Sequence, residues 1–406
     1  MVPMIDRCDI AIVGGGLNGL TSALALARAG FDVVVVERGD PAAKLADAFD
    51  GRVSSIAYGS KLVLDALGAW DAMADHGEPI LEIRVSDRDA PLFLHYDHAD
   101  VGDEPLGWIL ENRFIRRALD ATLAVTPGVR VLAPAEVFDM TRDGNGATLS
   151  MADGSSLACS LVVACDGAMS PLRGKAGISH WNHAYHQQGI VCTVRHERPH
   201  RGIAHERFLP SGPFAILPIP GNLASLVWTE RDAIANRVMT LEREDILEEI
   251  TWRFGDFLGD LELVGPVWNY PLRLVLADRY TDHRLALLGD AAHAIHPIAG
   301  QGFNLGIRDC AVLAEVLADG RRLGLEPGDA SLLANYARWR RTDMMALVAV
   351  TDSLNRLFSN AIAPVALARD LGLAAVNTVP PLKKLFMRHA MGTVGKLPRL
   401  MRGETL

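Results

Sequence analysis

Apolar positions near the start of this chain fall into unbroken runs, Ile10–Val13 and Val33–Val36. Continuous runs mark strands covered on both faces, as central parallel strands are. Between them, residues 17–28 are rich in Leu and Ala, which predicts a small-residue helix packed close to the sheet. Strand and helix patterns alternate from residue 8 to about 75, the βαβ opening of a doubly wound α/β sheet, with residues 50–73 read as a loop and then an amphipathic helix. Short strand-like pieces fill 80–100. A helix follows over 113–124, then hairpin-like strands around turns at Asp143-Gly144-Asn145 and Asp153-Gly154. From 186 to 275 the pattern is mostly strand, with one helix near 240–255, which predicts a second sheet lying over the first domain. Leu285–Leu288 is a last covered strand; a polar turn and a helix opening on Gly300 and Gly302 come after it.

Four strand ends carry polar or glycine motifs. Gly14-x-Gly16-x-x-Gly19 follows the first run: Gly14 allows the tight turn, Gly16 admits a pyrophosphate to the backbone, and Gly19 lets helix and strand pack closely. Glu37 ends the second run, where a carboxylate would hold a ribose 2′-hydroxyl. A third run ends in Asp166-Gly167, followed by Ser170 and Arg173. Asp290, after the fourth run, is placed to accept hydrogen bonds from sugar-like hydroxyls, and the helix beginning near Gly300 and Gly302 turns its positive end toward an anion or flat ligand.

The order GxGxxG, then DGAxSxxR, then GDAAHxxxPxxGQGxN resembles the FAD-dependent aromatic hydroxylases of the p-hydroxybenzoate hydroxylase fold. Within them the chain is most similar to the ubiquinone-biosynthesis ring hydroxylases, through DGRVSSIAYGS (50–60), ILENRFI (109–115), FLPSGPFAILPIP (208–220), VWT (227–229) and the tail NRLFSNAIAPVALARDLGL (355–373). The resemblance implies a glutathione-reductase-like Rossmann domain (1–78, 101–180, 276–345), an interleaved β-sheet substrate domain (79–100, 181–275) and a C-terminal helical region (346–406). It implies FAD held by Gly14, Gly16, Gly19, Glu37, Arg38, Arg52, Asn112, Asp166, Asp290, Pro297, Gly300, Gln301, Gly302, Phe303 and Asn304. Pro297 would border the flavin ring and the substrate, and Arg52 would lie near the flavin and its phosphates. Phe214, Leu217, Trp228 and His296 would face the substrate, the first two from a strand above the flavin. The implied reaction is reduction of FAD by NAD(P)H, addition of O2 to give a C4a-hydroperoxyflavin, and oxygen transfer to the ring of a prenylated phenol. A single glycine fingerprint is present, so NAD(P)H would bind transiently. The alternatives are hydroxylation of a small soluble aromatic acid, and a non-catalytic FAD-binding subunit of a biosynthetic complex.

Composition adds limits. A chain of 406 residues with 49% hydrophobic content can bury a large core, and its net charge of −9 argues against a nucleic-acid surface. Five cysteines without CxxC spacing fit a reducing cytosol. No leader is expected ahead of the first strand, and the most apolar stretch, 361–382, is broken by Arg369 and Asp370. Residues 379–402 contain Lys383, Lys384, Arg388, Lys396, Arg399 and Arg402 and no acid. That tail is read either as a peripheral contact with the inner face of a membrane or as a solvated helix face; contact with other ubiquinone-biosynthesis proteins is a further expectation. His180, His183 and His186 recur every third residue but would alternate faces on a strand, so no metal site is expected.

Overall fold

The computed structural model describes residues 5–40, 51–87, 93–295, 301–358 and 379–406; His296, Pro297 and Gly300 lie outside the described residues. The chain opens with β1 (Ile5–Val13), α1 (Leu17–Arg28), β2 (Val33–Val36), β3 (Val53–Ala57), α2 (Tyr58–Ala66), α3 (Asp71–Ala74), β4 (Gly77–Ile80), β5 (Glu82–Asp87) and β6 (Phe93–Asp97). Next come β7 (Gly107–Glu111), α4 (Asn112–Ala124), β8 (Val129–Leu132), β9 (Val137–Asp143), β10 (Gly146–Met151), β11 (Ser156–Ala164) and α5 (Pro171–Lys175). The middle of the chain holds β12 (His180–His196), β13 (Ile203–Leu209), β14 (Gly212–Ile219), β15 (Leu223–Arg231), α6 (Asp232–Val238), α7 (Arg243–Phe254) and β16 (Leu261–Ala277). It closes with β17 (Thr281–Asp282), β18 (Leu285–Leu287), β19 (His293–Ala294), α8 (Gln301–Arg322), α9 (Ala330–Phe358) and α10 (Pro380–Ala390).

The unbroken apolar runs sit where their pattern required. The first sheet has the order β17-β18-β11-β1-β2-β8, parallel from β18 to β8, with β10 and β9 continuing from β11 as antiparallel strands. Ile10, Ala11, Ile12 and Val33–Val35 are fully buried at its centre. One face takes α1 and α8, whose small side chains allow close approach: Ser22 Oγ and Cys310 Sγ are 2.9 Å apart. On α4 the buried residues are Ile115, Ala118, Leu119, Thr122 and Leu123, a single stripe at helical spacing.

A second sheet, order β19-β16-β12-β15-β14-β13-β5-β6, is antiparallel except for the β13–β5 pair. Its two faces have different partners. Phe214, Ile216, Leu226 and Trp228 form one core with Val238, Ile250 and Phe254 of α6 and α7. Leu217, Ile219 and Ala204 form another with Val53, Tyr58, Met387 and Met391. We call these the outer and inner faces; the inner one packs on Val53 of β3, Ile80 of β4, Ile109 of β7 and α10.

Two sequence expectations are corrected. The stretch read as a loop contains β3, which pairs with β7 in a third sheet, β3-β7-β4, and the helix after it is broken into α2 and α3. The single helix near 240–255 is preceded by a second, α6. His180 and His183 pair across from Ala277 and Leu274 on β16, and His186 sits at a register irregularity with φ +54°, so the three rings do not converge. Glu82, His95 and Asp97 of β5 and β6 do cluster, but Glu82 Oε2 is engaged by Arg84 Nη2 at 2.8 Å and His95 Nε2 at 2.9 Å, a charge-pairing arrangement.

Candidate functional site

The strand ends β1, β2, β11 and β18 finish level, so their loops meet at one edge of the parallel sheet, where such folds bind ligands. Gly14 N donates to Val36 O at 2.8 Å, Cys165 N to Val13 O at 2.8 Å, and Leu288 N to Ala164 O at 3.0 Å. The glycines divide into two kinds. Gly14 has φ +106°, and a Cβ there would lie 2.3 Å from Cys165 O; one on Gly19 would lie 1.9 Å from Gly14 O. Those two exist for the turn and for packing. Cβ atoms on Gly16 and Gly302 would meet nothing within 4 Å, so there the missing side chain leaves room for something else.

Polar groups line this edge. Glu37 is buried, and its carboxylate accepts from Gly15 N at 2.8 Å and Gly39 N at 2.6 Å, which puts the strand-end acid against the glycine turn. Arg38 beside it is exposed. Asp166 Oδ2 accepts from Leu172 N at 3.0 Å, while its Oδ1 is buried without a partner among the described residues. Burial raises the Asp166 carboxyl above the usual range, against the lowering effect of Ser170 and the Leu172 amide. Asp290 keeps open surface but is walled in by protein; that desolvation pushes its carboxyl up, and His293 pulls the other way. Arg173, nearly fully buried, donates to Ala291 O and Ala168 O, both at 2.8 Å, and so ties the Asp166 loop to the Asp290 loop.

The start of α8 completes the edge. The first N–H groups of a helix lack intrahelical acceptors, so the amides of Gln301, Gly302 and Phe303 are available to a ligand. The Asn304 side chain is spent elsewhere: Oδ1 accepts from Ala57 N at 2.9 Å and Nδ2 donates to Ser55 O at 2.8 Å, fastening α8 to β3. Asn112 Oδ1 accepts from Ser54 Oγ at 2.6 Å and its backbone N–H donates to Arg52 O at 3.0 Å, so Asn112 sets the strand that begins beside the exposed Arg52.

The structure separates the expected substrate residues. Leu217 lies on the inner face, half-buried against Val53 and Tyr58. Phe214 and Trp228 do not: both are fully buried on the outer face, and the Arg253 guanidinium sits 4.0 Å from the Trp228 ring centroid. Side chains alternate along a strand, so residues 214 and 217 could never share a face.

Sequence reasoning missed several residues. Arg116 Nη2 donates to Gly15 O at 2.7 Å; its signal was the helical spacing of four from Asn112. Beneath the Asp290 loop, Asp309 of α8 is fully buried and accepts from Gly289 N at 2.9 Å and His293 Nε2 at 2.7 Å, while Arg340 of α9 donates to its other oxygen. Burial alone would raise the Asp309 carboxyl, but His293 and Arg340 hold it down to about 2. Arg340 Nη1 also reaches Asp343 at 2.9 Å. A charge within each helix's apolar stripe was the visible sign.

A dinucleotide-type edge under a second, antiparallel sheet is the plan of the FAD-dependent monooxygenases. The FAD-binding domain family matches residues 7–351. The chain is 52% identical over 402 residues to the ubiquinone hydroxylase UbiL of Rhodospirillum rubrum, covering 98% of this chain and 93% of that protein. It is 33% identical over 386 residues to the 3-demethoxyubiquinol 3-hydroxylase of Escherichia coli, covering 95% and 98%. In fold it is similar to the p-nitrophenol 4-monooxygenase of Pseudomonas putida (TM-score 0.81, 19% identity, 97% and 100% covered) and to an anhydrotetracycline hydroxylase of Streptomyces rimosus (TM-score 0.72, 23%, 97% and 77%). The chain belongs to the FAD-binding family of aromatic-ring hydroxylases, and within it to the ubiquinone-biosynthesis hydroxylases.

The residues fit the cofactor of that family. There is open space at Gly16 and Gly302, and Asp166 Oδ1 is buried without a partner among the described residues, features an extended dinucleotide can use. Cys165 beside them stays a neutral thiol, its pKa pushed well up by burial. Among the described residues no helix is long and apolar enough to cross a membrane.

Proposed function

We propose that this protein is an FAD-dependent monooxygenase that hydroxylates the aromatic ring of a prenylated phenol in ubiquinone biosynthesis, consuming NAD(P)H and O2. The observation that carries the reading is the 52% identity to a ubiquinone hydroxylase over nearly the whole chain, in a protein whose dinucleotide edge is intact. FAD, when bound, supplies the redox chemistry. The chain's part is to hold it and to shelter the reacting ring.

Gly16 lets the backbone reach the pyrophosphate, with Glu37 and Arg38 at the ribose, Arg52 near the phosphates, and Asp166 and Asp290 offering carboxylates to hydroxyls along the cofactor. The amides of Gln301, Gly302 and Phe303 stabilise negative charge at the start of α8. Above it, Leu217 and its apolar neighbours on the inner face exclude water from the ring being oxidised.

The proposal extends to location. On α10, Leu382, Leu385 and Phe386 are exposed beside Lys384 and Arg388, whereas Lys383 pairs with Asp100 at 2.7 Å and Met387 is buried. An exposed apolar and basic helix suits a cytoplasmic protein resting on an anionic membrane surface, where a prenylated substrate resides. The test is NAD(P)H oxidation by FAD-loaded protein with and without a short-chain prenylphenol, with mass analysis of the product. Substrate-dependent oxidation with gain of one oxygen is expected; bound flavin without turnover on any prenylphenol rejects the reading.

A further inference from the structure

Strand β13 sends alternate side chains to opposite sides. His205 and Arg207 take the outer side: Arg207 donates to the carbonyls of Arg253 and Phe254 on α7, and the His205 ring lies 4.7 Å from that of Phe257. Glu206 is therefore on the inner face with Ala204, the face that packs on β3, the strand that Asn304 fastens to the start of α8. Its cross-strand neighbours are Ala215 on β14 and Val85 on β5, both apolar. It is half-buried, and among the described residues no hydrogen bond or ion pair reaches its carboxyl.

An ionisable group set among apolar side chains without a partner is costly, and a protein that needed only packing there would use a hydrophobe. Burial pushes the Glu206 carboxyl up to about 7, with no contribution from a neighbouring charge. On the strands beside it the inner face presents Ile83 and Val85 from β5, Leu94 and Tyr96 from β6, and Leu217 from β14. Tyr96 is the titratable group among these, and burial pushes it up to about 12, so it stays neutral. A carboxyl that ionises close to neutral pH at the wall of an aromatic-ring site is suited to exchange a proton with substrate.

Resting on the reading of the protein as a phenol hydroxylase, we propose that Glu206 holds the substrate's phenolic hydroxyl and takes its proton as the ring is oxygenated. The O–H bond breaks, the proton passes to a Glu206 carboxylate oxygen, and the electron pair left on the phenol oxygen conjugates into the ring. The activated ring carbon forms its new C–O bond to one atom of O2. The other oxygen atom leaves as water, NAD(P)H supplying the two electrons. Loss of the ring proton restores aromaticity, and Glu206 returns its proton to solvent.

The experiment uses FAD-loaded wild type, Glu206→Gln and Glu206→Leu, with flavin content and circular dichroism reporting the fold. The probes are 2-(3-methylbut-2-enyl)phenol and its methyl ether, which lacks the proton. Wild type should bind the phenol about 10-fold or more tightly than the ether above pH 7 and lose that preference below it. Both variants should lose the preference at every pH. Glu206→Gln should lower kcat/KM by roughly 100-fold and abolish its rise through pH 7. A variant that keeps both the preference and the pH-dependent rise overturns the proposal, as does a wild type that binds phenol and ether alike. If wild type discriminates phenol from ether but hydroxylates no phenol, the functional reading falls while the contact at Glu206 stands.

Discussion

A carboxyl retained for chemistry rather than for stability should leave a mark on the pH dependence of folding. In the native protein Glu206 ionises at about 7 against an ordinary 4.5, a difference of 2.5 units. At 1.36 kcal/mol per unit that is on the order of 3 kcal/mol, and partial access to solvent brings it nearer to about 2. The sign follows from proton counting. Between the two pKa values the native state keeps a proton that the unfolded chain has released, so stability falls as pH rises through that window and stays low above 7. Glu206→Gln removes the titration while keeping the shape. The variant should match wild type near pH 5 to within about 1 kcal/mol and exceed it at pH 8 by about 2 kcal/mol, read as the difference between their urea midpoints at the two pH values. Other titrating groups are common to both proteins and cancel. Parallel profiles for the two would refute the argument, because they would mean that Glu206 is already ionised or already partnered. A variant that is more stable and less active is the expected trade at a functional position.

Other predictions probe the remaining parts of the site. Gly19→Ala would drive a Cβ to 1.9 Å from Gly14 O, a backbone atom that cannot step aside, so it should cost at least ~1–3 kcal/mol and abolish FAD retention on gel filtration; a yellow, stable variant would contradict the packing role of that glycine. Arg340→Met leaves the buried Asp309 without its guanidinium partner and should destabilise the protein by about 3–5 kcal/mol in denaturant melts, with FAD affinity falling because Asp309 also holds Gly289 N. Asp290→Ala should lose flavin while circular dichroism stays native, and full flavin content would remove that carboxylate from the site. Phe214→Ala should cost about 3–5 kcal/mol with little change in KM, whereas Leu217→Phe should raise KM for a prenylphenol with little change in stability; the reverse pattern would mean that the two faces are misassigned. Leu385→Asp with Phe386→Asp should abolish co-sedimentation with anionic vesicles and leave hydroxylation of a short-chain phenol intact.

Much of the fold could be read because its central strands are local statements. Val33–Val36 needs no distant partner to declare itself a covered strand, and Gly14, Gly16 and Gly19 fix the turn and helix beside it. What escaped was structure defined from a distance. Val53–Ala57 is only half apolar, and it is a strand because β7 pairs with it and the Asn304 side chain clasps the backbone at Ser55 and Ala57, 247 to 249 residues away in sequence. Local pattern holds no trace of that clasp. Asp309 and Arg340 were visible only as charges interrupting apolar helix faces. Their pairing depends on how α8 and α9 pack, which a one-dimensional pattern does not contain.

The site shows the same division, with one avoidable error. Resemblance carried Phe214, Leu217 and Trp228 to the substrate as a group, yet the rule that set His180, His183 and His186 on alternating faces applies equally to residues 214 and 217. Applied there, strand alternation alone sends one of the pair to the outer core. Cross-strand pairing then sends Trp228 with Phe214. The same alternation run along β13 sets Glu206 apart from His205 and Arg207, but only the position of α7 decides which of the two faces its core covers. Glu206 could therefore be singled out in the sequence as a charge in a strand. Phe254 and its neighbours fill the outer face, so the role proposed for Glu206 rests on its place on the inner face.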